Sequence, residues 1–239
     1  MKQTITTYFT KGEWLLWGGS VAGILLAFLV FDRESWMTLG ASLIGVTSLI
    51  FCAKGNPAGQ VLMILFSLFY GAISYSFAYY GEMLTYLGMT APMAVFALIA
   101  WLRHPYQGNR AQVQVNRIRP GEVVCMLLLT GAVTLLFYFI LRYFHTANLA
   151  PSTVSVTTSF LAVYLTFRRS PWYALAYAAN DGVLILLWSL AAREDPSYLS
   201  VVICFAMFLV NDLYGFYSWR RMAKQQDAET ACNIPGNML

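Results

Sequence analysis

The sequence predicts an all-α integral membrane protein with eight transmembrane helices, and three observations lead to this prediction. Of the 239 residues, 59% are hydrophobic and 11% are charged, whereas a soluble domain has roughly 45–50% apolar and about 25% charged residues. Apolar stretches of membrane-spanning length follow one another along the chain. Basic residues are dense in every second loop between them. This composition excludes a soluble enzyme, a disordered chain and a small disulfide-stapled domain.

Charged residues, glycines and prolines divide the chain into eight apolar stretches. They cover residues 14–31, 36–52, 57–79, 83–101, 121–141, 151–167, 171–191 and 197–219. Each has about 17 to 23 residues, the length with which a helix crosses roughly 30 Å of hydrocarbon. The stretch 151–167 is rich in serine and threonine, whose hydroxyls can bond to their own helix backbone. Pro92 is expected to bend the fourth helix.

The lysines and arginines orient these helices. Of the 15, 12 fall on the side of the N-terminus and only Arg33, Arg142 and Arg193 fall on the other side. Basic residues accumulate on the cytoplasmic side of membrane proteins, so both termini are expected in the cytoplasm. The bias disappears if 151–167 does not cross, which is a second argument for that helix. The loop from Arg103 to Pro120 is predicted to be a cytoplasmic linker.

Two segments with the same design lie 114 residues apart. Lys54-Gly-Asn-Pro57 and Arg168-Arg169-Ser-Pro171 each end one helix with a basic residue and begin the next with proline, which suits the first helical position. Each half then ends with tryptophan and arginine, in Trp101-Leu-Arg103 and Trp219-Arg220-Arg221. We interpret this as a repeat of three helices, although any helix that ends at the cytoplasmic side can have such an edge.

The repeat divides the chain into five parts. They are an N-terminal segment with an extra helix (1–35), a first three-helix bundle (36–102), a cytoplasmic loop with a linker helix (103–150), a second three-helix bundle (151–221) and a cytoplasmic tail (222–239). One linker helix between two bundles of three makes the bundles parallel. In transporters of this plan the substrate site lies between the repeats near the midplane.

Two aspartates fall inside apolar helices. Asp181 lies near the middle of the seventh helix and Asp212 lies well inside the eighth. An aspartate at mid-bilayer costs about 2.5–3.5 kcal/mol, and the sequence has no basic residue at that depth. Each follows an asparagine, Asn180 and Asn211, which could bind a ligand or join helices. We interpret the aspartates as functional.

Helical spacing places aromatic side chains near these polar groups. Steps of three and four put aromatic residues on the face of the seventh helix that carries the polar pair, and the third helix has a similar face. Such walls suit a small, flat, polyhydroxylated molecule, although aromatic stripes also occur in ordinary helix packing. The candidate substrate-binding residues are Asn180, Asp181, Trp188, Tyr177, Asn211, Asp212, Gln60 and Tyr70.

Catalytic motifs are absent from the sequence. It has no HExxH, GxSxG, phosphate-binding loop or dinucleotide fingerprint, and its four cysteines have no metal-ligand spacing. We therefore expect no enzyme activity, no catalytic residue, no cofactor and no metal, and nothing indicates a nucleic-acid partner. A channel has similar polar helices, but large aromatics beside amides favour a site that holds its cargo.

Several short segments are together similar to one family of membrane proteins. They are Lys54-Gly-Asn-Pro57, Tyr79-Tyr-Gly-Glu82 with Met89-Thr-Ala-Pro92, Trp101-Leu-Arg-His-Pro105, and residues 109–119, 172–188 and 208–219. Through them the chain after its first helix resembles the PnuC family of vitamin transporters, whose best-known members carry nicotinamide riboside. The family's WxxWxxxN motif falls in 172–181. There Trp172 is one residue too far from Asn180, or Asp181 replaces the asparagine and Tyr177 the second tryptophan.

The resemblance implies a fold like that of the SWEET sugar transporters and a multi-pass location in a bacterial plasma membrane. It implies import by facilitated diffusion, with a cytoplasmic kinase that phosphorylates and traps the vitamin. Trp188 and Tyr177 would stack on the pyridinium ring, and Asp181 or Asp212 would balance its charge. Thiamine and riboflavin carriage, and proton-coupled transport through these aspartates, are the alternatives. The expected partners are the vitamin, membrane lipid, the kinase and a second copy of the chain in a homo-oligomer.

Overall fold

Helices form where the apolar stretches predict them. The structure, a computed structural model, describes residues 8–76, 80–146 and 148–232. Its helices are α1 Lys11–Phe31, α2 Trp36–Ala53, α3 Ala58–Ser76, α4 Tyr80–Thr85, α5 Ala91–Arg103, α6 Pro120–Tyr143, α7 Leu149–Phe167, α8 Tyr173–Ala191 and α9 Leu199–Cys232. A π-helical turn, Tyr86–Thr90, joins α4 to α5, and a 3₁₀ turn, Pro196–Tyr198, precedes α9. A hairpin of β1 Pro105–Tyr106 and β2 Asn109–Val113 lies in the linker.

The described residues contain eight segments that are long and apolar enough to cross a membrane. This confirms the predicted fold class and the predicted number of helices. The segment Leu149–Phe167 is one of them and has the lowest mean hydropathy of the eight, 1.2. The segment Met83–Arg103 comprises the second half of α4, the π turn and α5. The third predicted stretch ends at residue 79, but residues 77–79 lie outside the described residues.

Six helices pack in a ring, each against the next, in the order α2, α3, α5, α7, α8 and α9. Following the division expected from the sequence, we call α2, α3 and α5 the first bundle and α7, α8 and α9 the second bundle. The last helix of each bundle packs against the first helix of the other, α5 against α7 and α9 against α2. Helix α6 packs against α7, and α1 packs against α9 and α2. We call the end that holds Lys54, Arg103 and Arg168 the basic end, and the opposite end the far end.

Two buried tryptophans join the bundles at the basic end. The indole nitrogen of Trp101 on α5 donates to the carbonyl oxygen of Thr166 on α7 at 2.9 Å. The indole nitrogen of Trp219 on α9 donates to the carbonyl oxygen of Cys52 on α2 at 2.8 Å. Both side chains are 0% exposed, and their ring centroids lie 5.4 Å apart. Each bundle therefore supplies one donor and one acceptor to the other.

Helix α9 is longer than the sequence predicts. The last apolar stretch ends at residue 219, but the helix continues to Cys232, since residues 222–231 contain many strong helix formers. The linker packs against this extension. Gln226, 6% exposed, accepts from the backbone N–H of Val115 at 2.8 Å and donates to the carbonyl oxygen of Val113 at 3.1 Å. The linker thus packs against residues 222–232, the described part of the predicted tail.

The π turn lies directly before Pro92. Proline has no N–H group, so the helix loses one backbone hydrogen bond at this residue. The chain widens over Tyr86–Thr90, and the hydroxyl of Thr90 donates to the carbonyl oxygen of Thr85 at 3.2 Å. Single π turns occur often at functional sites. The bend expected at Pro92 therefore takes the form of a local change in helix type.

A buried ion pair attaches α1 to both bundles. Glu13 on α1 is 3% exposed. It accepts from the Lys54 ammonium, which follows α2, at 3.0 and 3.1 Å, and from the Tyr214 hydroxyl on α9 at 2.9 Å. Higher along α1, the hydroxyl of Ser20 accepts from the side-chain amide of Asn211 on α9 at 2.8 Å. The first helix is therefore an integrated part of the helix assembly.

We expect Lys54→Met to destabilise the protein strongly, because it leaves the Glu13 carboxylate buried without its counter-ion. Breaking one side of a buried pair costs about 3–5 kcal/mol. Denaturant unfolding in detergent micelles, followed by tryptophan fluorescence, measures this loss. The exposed Lys11, on the same helix, is the control in Lys11→Met. Equal stability of the two variants would contradict the structural role of this ion pair.

Candidate functional site

A cavity lies between the two bundles and is lined by three of the four polar residues that the sequence predicts inside the last two helices. Its walls come from α2, α3 and the π turn on one side and from α7, α8 and α9 on the other. Asn180, Asp181 and Tyr177 of α8 and Asp212 of α9 line it. Four of the eight candidate substrate-binding residues therefore meet in one place. We call it the central cavity.

Asp181 and Asp212 form the most charged part of the central cavity. Both residues are 4% exposed, and their carboxyl groups are close enough to share a hydrogen bond. No N–H or O–H group of the described residues donates to Asp181 Oδ2, which is buried. Two adjacent carboxylates repel each other unless a proton or a cation lies between them. The pair is thus suited to a positively charged ligand.

Hydroxyl groups of α7 hold the side-chain amide of Asn180. Its oxygen accepts from the hydroxyls of Ser155 at 3.2 Å, Thr158 at 2.8 Å and Ser159 at 3.0 Å. An amide oxygen has two lone pairs, so three hydroxyls compete for two positions. At least one hydroxyl is therefore able to turn toward a ligand. Ser155 and Ser159 also line the central cavity.

Aromatic rings enclose the cavity on the side of the first bundle. Phe66 of α3 packs edge-on against Tyr86 of the π turn, with ring centroids 5.9 Å apart, and against Phe208 of α9 at 6.0 Å. Phe208 reaches across to α2 at Gly45, where an added Cβ would lie 2.5 Å from its ring. Only glycine allows this approach without a shift of the ring. The three rings and Tyr177 give the cavity flat apolar walls beside its carboxyl groups.

Two further candidate residues lie closer to the far end. Tyr70 of α3 and Trp188 of α8 line a second cavity together with Asp32, Asp195 and Tyr198. Trp188 is seven residues beyond Asp181, which corresponds to about 10 Å along a helix. We call this the far-end cavity. The backbone N–H of Ser197 donates to Asp195 at 2.9 Å and holds the pKa of its carboxyl below the usual value, so this cavity carries negative charge at neutral pH.

The last two candidate residues face other helices and do not line the central cavity. Gln60 of α3 is 2% exposed, and its amide nitrogen lies 3.3 Å from the sulfur of Cys52 on α2. Asn211 of α9 is 2% exposed and donates to Ser20 of α1. Asn211 and Asp212 are adjacent in sequence, yet one residue connects α9 to α1 and the other lines the cavity.

The sequence reasoning missed the cavity residues of α7 and of the π turn. The hydroxyl-rich run of α7 was a visible signal, because Ser152, Ser155 and Ser159 lie three and four residues apart and share one helix face. Thr85 and Thr90 had no comparable pattern. Among the described residues, no group of three or more His, Cys, Asp or Glu side chains is placed to hold a metal ion.

Three comparisons relate the chain to known proteins. Residues 35–221 match the model of a family described as nicotinamide mononucleotide transporter. Two similar proteins are named nicotinamide riboside transporter PnuC. The protein from Neisseria mucosa is 25% identical over 93% of this chain and 85% of its own, and the protein from Haemophilus influenzae is 20% identical over 80% and 82%.

A crystal structure of the vitamin B3 transporter PnuC has the same fold. It superposes with a TM-score of 0.78 and 22% identity, over 91% of this chain and 94% of that chain. The named relatives are transporters and not enzymes. Because the family match extends over most of the chain, from the residue before α2 to the basic end of α9, the protein belongs to the nicotinamide mononucleotide transporter family of PnuC transporters.

Proposed function

We propose that this protein imports nicotinamide riboside by facilitated diffusion and binds it in the central cavity. Both similar proteins are named as transporters of nicotinamide riboside. The observation that supports this most directly is the carboxyl pair of Asp181 and Asp212, which shares the central cavity with the oriented amide of Asn180 and with several aromatic rings. A molecule with a flat cationic ring and several hydroxyls complements each of these groups.

The ligand has two chemically different parts, and the cavity has a wall for each. The pyridinium ring packs between aromatic side chains such as Phe208 and Tyr86, and its charge is balanced by Asp181 and Asp212. The ribose hydroxyls bond to Asn180 and to the serines of α7. The affinity for nicotinamide riboside then comes from charge and hydrogen bonding together, and the selectivity for a flat ring comes from the apolar walls.

The route of the cargo follows from the positions of the cavities. The far-end cavity, with Asp32 and Asp195, receives the cation first. Tyr70 lines this cavity, Tyr86 lines the central one, and their ring centroids are 4.5 Å apart. Trp101, Trp219 and Tyr173 close the basic end, with Tyr173 and Trp219 centroids 4.9 Å apart. Import requires that these two aromatic layers open in turn.

The basic end faces the cytoplasm in this proposal, because basic residues collect on that side of membrane proteins. The N-terminus and the end of α9 are then both cytoplasmic. Phosphorylation by a cytoplasmic kinase adds negative charge to the released vitamin. The product no longer fits beside the carboxyl pair, and the import becomes one-way.

Proton-coupled transport is the second candidate, because two carboxyl groups in contact are able to take up and release a proton as the cargo enters. Thiamine is a further candidate cargo, since it is also a flat cation. Riboflavin has no positive charge and would gain no ionic attraction from the carboxyl pair. The carboxyl pair alone therefore does not distinguish between the two cationic vitamins.

We expect Asn180→Ala and Asp181→Asn to reduce the uptake of labelled nicotinamide riboside about tenfold or more, since hydrogen bonds to charged groups contribute about 1.5–3 kcal/mol. Uptake is measured in liposomes and normalised to the amount of inserted protein. Ser189→Ala, on the same helix but not among the residues that line the central cavity, is the matched control. Parental uptake by both cavity variants would place the binding site elsewhere.

Gly45→Ala should lower uptake several-fold, because the new methyl group displaces the ring of Phe208 into the cavity. Gly182→Ala is the matched control, since an added Cβ there meets nothing within 4 Å. Both proteins should insert normally, which size-exclusion chromatography checks. Unchanged transport in Gly45→Ala would show that the Phe208 ring is not a wall of the binding site.

Transport into liposomes with and without an imposed proton gradient tests both mechanism and cargo. Facilitated diffusion predicts saturable uptake that needs no gradient and does not change when one is imposed. Labelled nicotinamide riboside, thiamine and riboflavin are compared at equal concentrations, and the first is expected to be transported fastest. Uptake that requires the gradient and stops when a protonophore collapses it would support proton coupling instead, and flux that does not saturate would indicate a channel.

A further inference from the structure

A third cavity opens at the basic end, outside the route of the cargo. It has a volume of about 630 Å³ and lies between the start of α6, the end of α7, the linker and the extension of α9. Its lining combines basic, amide and apolar side chains. The basic ones are Arg117, Arg220 and Lys224. We call this the basic-end cleft.

The cleft has more positive than negative charge. Arg117 is neutralised by an ion pair with Asp227. Neither Arg220 nor Lys224 has an acidic partner within the described part of the chain. The amide nitrogen of Asn116 is buried there and has no acceptor among the described residues. A buried donor without an acceptor is unfavourable, so an anion that accepts from Asn116 would relieve this cost.

The floor of the cleft is apolar. Val123 and Met126 of α6 and Leu165 of α7 line it, and Ile118 and Pro171 extend it. Val123 and Met126 lie about one and two turns inside the segment Pro120–Tyr143, and Leu165 lies in the last turn of Leu149–Phe167. Ile118 and Pro171 lie just outside these segments. The cleft therefore joins the depth of the acyl chains to the depth of the headgroups.

We propose that the basic-end cleft binds an anionic phospholipid. Its phosphate lies near Arg220, Lys224 and Asn116, and an acyl chain packs against Val123, Met126 and Leu165. Basic pockets between transmembrane helices are suited to such headgroups. The lipid would connect α6 to α9, two helices that belong to different parts of the chain.

The apolar floor of the cleft favours a lipid over a soluble nucleotide as the occupant, because a nucleotide has no acyl chain to cover it. The ring of Trp172 is in contact with the Arg220 guanidinium, 5.5 Å from the ring centroid, and with the Phe216 ring at 5.4 Å. Trp172 thus helps to position Arg220 at the mouth of the cleft.

The test uses the full chain purified in detergent. Phosphatidylglycerol or phosphatidylcholine is added, and bound lipid is counted by native mass spectrometry while thermal unfolding is followed in parallel. Phosphatidylglycerol should bind and raise the melting temperature more than phosphatidylcholine. The double variant Arg220→Gln, Lys224→Gln should bind phosphatidylglycerol about fivefold more weakly for each cation removed.

Two further variants complete the test. Arg142→Gln with Arg193→Gln removes two exposed arginines at the far end and should bind phosphatidylglycerol like the parent. Val123→Trp keeps every charge and fills the apolar floor, so it should reduce the binding of phosphatidylglycerol. It tests the proposal independently if the double variant folds poorly. Equal binding of the two lipids, or parental binding by Val123→Trp, overturns the proposal.

The last part of the test is competition between soluble anions and the bound lipid. Inorganic phosphate and adenosine monophosphate are added at millimolar concentration to protein with bound phosphatidylglycerol. We expect neither to displace the lipid or to raise the melting temperature by itself. Displacement by either compound would make the cleft a soluble-phosphate site and would overturn its assignment to lipid.

Discussion

The reciprocal hydrogen bonds of Trp101 and Trp219 are the constraint on which the rest of the structure depends. Each indole donates to a backbone carbonyl in the last turn of a helix in the opposite bundle. The carbonyl of Cys52 also accepts from the backbone N–H of Gly55, and that of Thr166 from Arg169, so each indole uses the second lone pair of its acceptor. The buried indole N–H groups are thereby satisfied, and the bundles are held together at one end. The central cavity lies between the same bundles.

Within that frame, the polar groups at mid-depth are positioned by neighbours that have no charge. The hydroxyls of Ser155, Thr158 and Ser159 orient Asn180, while Phe66, Tyr86 and Phe208 supply apolar walls to the same cavity. The carboxyl groups of Asp181 and Asp212 are close neighbours. Two neighbouring carboxylates are stable only when a proton or a cation lies between them, so the geometry of the site depends on whether that position is occupied.

Hydropathy and charge predicted the helices and the depth of the aspartates, because both depend on the length of a helix relative to a membrane. They did not predict which neighbour each side chain meets. Asn211 and Asp212 are adjacent, but neighbours on a helix point about 100° apart, and only the position of α1 shows that Asn211 faces Ser20. Trp188 shares a face with Asp181 but lies two turns further along, in another cavity. The spacing of the α7 serines indicated a shared hydroxyl face, but the sequence prediction did not include these residues in the site.

The extension of α9 makes the last helix of the second bundle a lever. With 34 residues the helix is about 51 Å long, so roughly 20 Å of it projects beyond the hydrocarbon. A tilt of only ten degrees or so about the membrane end moves its tip by about 3 Å. Gln226 and Asp227 bind the linker to this extension through a hydrogen bond and an ion pair, and the linker continues directly from α5 of the first bundle. Any rocking of the second bundle is thereby transmitted, with amplification, to the segment that separates the two halves of the chain.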